Sequence, residues 1–155
     1  MNCMPGEIYF TSGGTEADNM AIGCSVNDLK ITPAITSPLV HHAVLHTLEE
    51  LQANGKIKIS FVKLLPNGHV DLDHLEELLK NNEHSLVSLM HANNEIGNLL
   101  DLDTVSALCL KYNSIFHSDT FQTIGHYRID LKKTKIHFLA FPAINANGTK
   151  RVVLS

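Results

Sequence analysis

Residues Phe10 to Ile22, with the sequence FTSGGTEADNMAI, decide the fold of the first part of this chain. The apolar run from Ile8 to Phe10 is typical of a strand. Small and apolar side chains then recur at helical spacing, at Ala17, Met20, Ala21 and Cys24. Between the strand and the helix, Gly13-Gly14 permits a tight turn and a close approach of a ligand to the backbone. Thr15 and Asp18 have the spacing of a capping box, with Thr15 as the N-cap.

A strand, a turn of small residues and a helix N-terminus together make a site for an anion. The first N–H groups of a helix have no partner within it, and the helix dipole favours negative charge at that end. Small residues before a helix are nevertheless common. On this stretch alone, an ordinary turn that binds nothing is the better interpretation.

Composition sets the class of protein. The chain has 155 residues, of which 44% are hydrophobic, and a net charge of −4 at pH 7. These values predict one soluble domain with a substantial core. The charges are interspersed without a Lys/Arg run, and no apolar run reaches membrane-spanning length. The N-terminus also lacks the pattern of a signal peptide. We therefore expect a cytoplasmic protein with neither a nucleic-acid nor a membrane partner.

The cysteines and histidines offer few chemical candidates. Cys24 and Cys109 fall on the apolar faces of predicted helices and are expected to be buried, whereas Cys3 is a candidate free thiol. None is a convincing nucleophile. His42 and His46 lie four residues apart, beside His41, but a zinc motif of the HExxH type needs a glutamate where Ala43 stands. We predict no metal site.

Strands and helices alternate along the rest of the chain. Hydrophobic periodicity predicts helices over about 43–53, from Asp71 or Asp73 to about 81, and from Asp101 or Asp103 to about 112. It predicts strands over 31–37, 56–65, 86–90 and 115–116. This alternation predicts an α/β domain with a mainly parallel sheet and right-handed crossovers.

Polar residues follow several of these strands, at the edge where parallel sheets bind ligands. They are Gly13-Gly14-Thr15, His41, Asn93-Asn94, and Asp119 with Gln122. Their coincidence at one edge favours a binding site more strongly than any one of them does.

These residue types suit an anionic, flat ligand that contains nitrogen. The Gly14-Thr15 turn offers donors to a phosphate, and His41 offers a ring for stacking. Asn94 and Gln122 offer neutral amides, and Asp119 can keep a ring nitrogen protonated. Pyridoxal phosphate matches this set, because its protonated pyridine is an electron sink. Singly, the residues have structural alternatives: Asp119 as a turn cap and Asn94 as a left-handed loop residue.

Three ordered segments carry a family resemblance: IYFTSGGTEADNMAI, LVSLMHANNEIGN and FHSDTFQTIGHYRIDL. They resemble cysteine desulfurases, the NifS-like branch of class V aminotransferases, which also includes selenocysteine lyases. The similarity runs from about Ile8 to Phe141. It implies the large domain of a fold-type I, pyridoxal-phosphate-dependent homodimer. Such enzymes take sulfur from cysteine as an enzyme persulfide, leave alanine, and supply sulfur for iron–sulfur clusters.

The resemblance also implies a role for each matching residue. Gly14 and Thr15 would contact the cofactor phosphate, and His41, the candidate catalytic residue, would stack on the ring. Asn94 would lie on the side of the ring substituent. Asp119 would pair with the pyridine nitrogen, and Gln122 would contact the ring hydroxyl.

The chain departs from the family at its Schiff-base segment. Where the family has Ser-x-His-Lys, an ungapped count reaches Pro142-Ala143-Ile144-Asn145, so Asn145 replaces the lysine. Asparagine forms no Schiff base and shuttles no proton. Gly148 and Lys150 still fit the pattern beyond, which argues against a simple gap. Val40 stands where the family has a glutamate before the stacking histidine, and no cysteine here matches the persulfide-forming one.

We interpret residues 1–155 as part of the large cofactor-binding domain, without the family's N-terminal segment or its C-terminal small domain. Three explanations stay open. The chain is a fragment or mis-predicted product of a gene for an active enzyme, or a non-catalytic homologue that keeps cofactor binding or only the fold, or an interaction module that pairs with a full-length desulfurase.

Overall fold

The chain alternates strands and helices, as the sequence predicts. The computed structural model describes residues 2–93, 95–142 and 152–154, and every structural statement below concerns these residues. The strands are β1 (Tyr9–Thr11), β2 (Pro33–Thr36), β3 (Lys58–Phe61), β4 (Leu86–Met90), β5 (Ile115–Asp119), β6 (Phe138–Pro142) and β7 (Val152–Leu154). The helices are α1 (Gly14–Gly23), α2 (His42–Ala53), α3 (Leu72–Asn81) and α4 (Leu102–Lys111).

All seven strands join one sheet in the order β1-β7-β6-β5-β4-β2-β3. The strands from β3 through β2, β4 and β5 to β6 are parallel, and β7 runs antiparallel between β6 and β1. The predicted α/β class with a mainly parallel sheet is therefore confirmed. In such a sheet the carboxyl ends of β4 and β5 meet at one edge, which is where the candidate site forms.

Helices cover both faces of the sheet. One apolar cluster packs α3 and α4 against the central strands, with Leu75, Val105 and Phe116 among its fully buried members. A second cluster packs α1 and α2 on the opposite face, around Ile22 and Leu48. Each such side chain contributes roughly 1.5–3 kcal/mol by leaving water. The two clusters hold the central strands in register. None of the helices among these residues is both long and apolar enough to cross a bilayer.

The structure shows which aspartate caps α3 and which caps α4, and it corrects the capping box predicted for α1. Asp71 caps α3 and Asp101 caps α4, each accepting a backbone N–H three residues on. The capping box predicted at Thr15 and Asp18 is wrong, because α1 begins at Gly14 and its N-cap Gly13 makes no side-chain capping bond. Asp18 instead turns inward and is 2% exposed. Its carboxylate lies beside the buried ring of His117.

Three strands differ in length from their predictions, and the first of them, β2, covers Pro33–Thr36 rather than 31–37. β3 covers Lys58–Phe61 rather than 56–65, because it is the edge strand of the sheet and pairs on one side only. β5 continues past the predicted 115–116 to Asp119, through the polar residues His117 and Ser118. Pairing with β4 and β6 on both sides satisfies its backbone and keeps these polar residues in the strand. This extension carries a carboxylate to the edge of the sheet while keeping it buried.

Candidate functional site

A cleft of about 250 Å³ opens at the carboxyl ends of β4 and β5, beside the starts of α1 and α2. Its walls are Gly14, Thr15, Asp18, His41, Met90, Asp119, Phe121 and Gln122. Five of the predicted site residues therefore meet in one place, although they are spread over more than a hundred positions of the chain. The topology of the parallel sheet brings them together.

The start of α1 forms one end of the cleft. The first backbone bond of the helix runs from the Ala17 N–H to the Gly13 carbonyl, and the Ser12 N–H donates to the Glu16 carboxylate. The N–H groups of Gly14 and Thr15 precede this first bond and have no backbone partner within the helix. Thr15 is exposed here and adds a hydroxyl. This arrangement suits an anionic group, as the sequence predicts.

Phe121 packs against this turn, a contact that the sequence analysis missed. A Cβ atom placed on Gly14 would lie 2.6 Å from the Cζ atom of the Phe121 ring. Glycine is therefore needed at position 14 to make room for the ring, rather than for a special backbone angle. An aromatic residue between Asp119 and Gln122 is the signal in the sequence that could have suggested a wall of the cleft.

His41 is the N-cap of α2. Its Nδ1 atom accepts the Ala43 N–H at 3.1 Å, so a neutral ring carries its proton on Nε2. The ring is exposed and lines the cleft. Its neighbours His42 and His46 have ring centroids 5.6 Å apart. No group of three or more metal-binding side chains occurs in the portion of the chain that the structure describes.

Asp119 forms the floor of the cleft at the end of β5. It is 4% exposed, and its Oδ1 atom accepts the Phe121 N–H at 2.9 Å. Burial, followed by the negative charge of Asp18, raises the pKa of Asp119 to about 6. His117 and His41 act in the opposite direction. A buried carboxylate with a raised pKa is stabilised by a cation, and the open side of the cleft is where a ligand would supply one.

Of the two amide residues predicted for the site, Gln122 and Asn94, only Gln122 is among the described residues. Gln122 is exposed at the rim of the cleft. Asn94 lies outside the described residues, so its predicted role stays a prediction. Its neighbour Asn93 is structural: it donates to the Leu39 carbonyl at 2.9 Å and accepts from two backbone N–H groups of its own loop. The Schiff-base segment with Asn145, together with Lys150, also lies outside the described residues.

The cysteines lie away from this cleft. Cys109 is buried as predicted, and burial raises the pKa of its thiol to about 12. Cys24 is only half-buried, contrary to prediction, because the helix widens to a π-helical turn at Cys24–Asp28. Burial, with a contribution from Asp28, raises the pKa of the Cys24 thiol as well. Neither thiol is poised to become a nucleophilic thiolate.

Taken together, the geometry places a helix N-terminus and a buried carboxylate in one cleft at the sheet edge of an α/β protein. The sequence pattern of the family described as Aminotransferase class-V matches residues 2–150. The chain belongs to this family, and its resemblance to cysteine desulfurases is confirmed.

Individual relatives agree with this placement. The cysteine desulfurase IscS of Edwardsiella ictaluri is 39% identical over 150 residues, which are 96% of this chain and 37% of the relative. A solved NifS-like protein has a TM-score of 0.86 at 34% identity, covering 97% of this chain and 42% of its own. The structure of SspA in complex with cysteine has a TM-score of 0.88 at 26% identity, and the match covers 98% of this chain and 44% of the SspA chain. The chain thus spans less than half the length of these relatives.

The contact between Gly14 and Phe121 predicts a steric coupling. Gly14→Ala should destabilise the chain by about 1–2 kcal/mol in urea unfolding, because the new methyl group overlaps the ring. Phe121→Val should relieve most of this loss in the double variant. Gly13→Ser is the matched control, since a Cβ there meets nothing within 4 Å. Equal losses in the presence and absence of the Phe121 ring would contradict the contact.

The buried carboxylate predicts a stability that depends on pH. The pKa of Asp119 is raised from 3.8 to about 6, so its contribution to stability is greatest below about pH 4 and is lost as the pH rises to about 6. Asp119→Asn should therefore be more stable than the wild type at pH 7, by up to about 3 kcal/mol. The gain should vanish near pH 4. Urea unfolding at both pH values measures it.

The control for this measurement is Asp73→Asn, which alters an exposed carboxylate in the first turn of α3. We expect a change within about 0.5 kcal/mol. An Asp119→Asn variant that is less stable than the wild type at pH 7 would show that the carboxylate is already satisfied within the chain.

Proposed function

We propose that this chain binds pyridoxal phosphate reversibly in the cleft at the end of β5. The buried Asp119 carboxylate carries the proposal, because it lines the cleft, is 4% exposed and has no lysine or arginine partner among the residues that the structure describes. The protonated ring nitrogen of pyridoxal phosphate would supply a cationic partner. The resemblance to pyridoxal-phosphate enzymes supports the same ligand.

The residues present fit this cofactor. Gly14 and Thr15 would hold the phosphate at the start of α1, where the turn leaves N–H groups without partners in the helix. The His41 ring, fixed by its cap to Ala43, would stack on the pyridine. Asp119 would keep the ring nitrogen protonated, and Gln122 would contact the ring hydroxyl from the rim. When bound, the cofactor supplies an electron sink for reactions at the carbon of an amino acid.

The family reaction, removal of sulfur from cysteine, is the proposed activity of the intact relatives and not of this chain alone. Asn145, in place of the Schiff-base lysine, lacks the amine that covalent attachment needs. The raised thiol pKa values of Cys24 and Cys109 make neither a persulfide acceptor. We therefore propose a family member that keeps the cofactor site without independent catalysis. A cytoplasmic location and a homodimeric state stay predictions.

A second proposal is that the chain pairs with a full-length desulfurase. It is favoured by β1, which lies at the edge of the sheet with Tyr9 55% exposed and Phe10 63% exposed. Exposed aromatic residues on an edge strand are typical of a surface that another chain covers. Co-purification with an intact homologue tests this second proposal.

Cofactor binding predicts a reversible, charge-dependent affinity. We expect equilibrium dialysis at pH 7 to show saturable binding of pyridoxal phosphate by the wild type. Asp119→Asn should weaken it by about tenfold to a hundredfold, because a charge-assisted bond contributes roughly 1.5–3 kcal/mol. The matched control, Asp73→Asn, should bind as the wild type does.

Borohydride reduction followed by mass analysis tests covalent attachment. Reduction of the complex should leave the mass of the protein unchanged, because Asn145 offers no amine. A cofactor adduct on Lys150 would contradict the non-catalytic proposal and show a relocated Schiff base. Failure of the folded wild type to bind would contradict cofactor binding itself.

A further inference from the structure

A buried carboxylate in the wall of the cleft lies against a buried imidazole. Asp18 of α1 and His117 of β5 are 2% and 0% exposed. The Nε2 atom of His117 lies 3.3 Å from the Oδ1 atom of Asp18. Among the described residues neither atom has a hydrogen-bond partner, and the two atoms are neighbours. Burying a carboxylate and an imidazole costs free energy of folding, so a functional role for these two side chains is expected.

The imidazole ring is fixed from its other side. The Nδ1 atom of His117 lies 2.8 Å from the Oγ atom of Ser88, its register partner on β4. Thr36 on the next strand donates its hydroxyl to the Ser88 carbonyl. Because a serine hydroxyl both donates and accepts, the ring can carry one proton or two. In either state, a proton on Nε2 can face Asp18.

The pair lies beside Asp119. His117 and Asp119 are two positions apart on β5 and so lie on the same face of the sheet, and Asp18 lines the cleft together with Asp119. The charged or titratable groups that act on Asp119 are Asp18 from α1, His117 from β5 and His41 from the start of α2. The neighbouring strands contribute Met90 and Ala140 at the same register, and neither ionises.

Two carboxylates thus share one small cleft. If both were ionised with no cation beside them, each would oppose the charge of the other. An imidazolium at His117 would offset the charge of Asp18 and leave Asp119 free to hold its charge for a ligand. A neutral residue at position 117 would make Asp119 share the cleft with an unbalanced Asp18.

We propose that His117 is a positioning residue that offsets the charge of Asp18 and so keeps Asp119 ionised and available to the cationic nitrogen of the bound ligand. This inference rests on the proposed function for the identity of the ligand. The effect on Asp119 itself does not depend on any ligand.

The pair predicts opposite effects of two substitutions. His117→Gln removes the cation, so the midpoint of Asp119 titration should rise by about one pH unit. Asp18→Asn removes the opposing charge, so the midpoint should fall by about one pH unit. A purely structural role would not produce shifts of opposite sign. His126→Gln, on an exposed turn, is the control and should leave the midpoint unchanged.

The measurement is the pH titration of the ¹³C-carboxylate signals of the ligand-free, aspartate-labelled chain. The Asp119 signal is assigned by its loss in Asp119→Asn. Equilibrium dialysis of pyridoxal phosphate against pH, on the same variants, forms the second arm. We expect its midpoints to move in the same two directions. If His117→Gln does not fold, the double variant Asp18→Asn/His117→Gln replaces it. A midpoint above that of Asp18→Asn supports the role of His117, and a midpoint equal to that of Asp18→Asn overturns it.

The two arms separate the two proposals. Opposite shifts in the carboxylate titration support the pair even if the wild type binds no pyridoxal phosphate, in which case only the proposed function fails. Shifts of the same sign, or none, in folded variants overturn the pair, whether or not the cofactor binds.

Discussion

Everything at the site depends on burying one carboxylate at the end of a parallel strand. Asp119 occupies the last position of β5, with β4 and β6 paired on either side and α1 covering it from above. Removing a carboxylate from water is costly unless other groups compensate. Here the Phe121 N–H offers one hydrogen bond, and His117 and His41 also favour the charged form.

The neighbourhood is organised around that cost. Polar side chains cross the sheet beneath α1, from Thr36 through Ser88 to His117, although apolar side chains fill the same sheet elsewhere. The pair of Asp18 and His117 adds a second buried carboxylate close to the first. A fold selected only for stability would fill this space with apolar residues. The presence of these polar and charged side chains is the pattern expected of a binding site that is less stable than an apolar core would be.

Much of the fold follows from sequence alone. The apolar run of β4, the caps at Asp71 and Asp101, and the alternation of strand and helix are local signals, and the structure agrees with them. The edge where Gly14 and Asp119 meet also follows, because parallel topology decides it.

The rest depends on contacts distant in sequence. Asp18 has the spacing of a cap, and only its approach to His117, ninety-nine positions away, shows why it turns inward. The sequence alone predicts that β5 ends early, because His117 and Ser118 are polar, yet pairing on both sides keeps them in the strand. The contact of Phe121 with Gly14 joins two turns that no local pattern relates.

The most direct measurement of the central claim is the ¹⁵N chemical shift of ring-labelled pyridoxal phosphate bound to the chain. Asp119 is the only group that the account places at this nitrogen. We expect the ring nitrogen of the bound compound to stay protonated above the pH at which the free compound loses this proton. In Asp119→Asn, the nitrogen should lose its proton at a lower pH than in the wild type. A bound ring whose nitrogen titrates as in free solution would show that Asp119 does not hold the ligand, and would contradict the claim.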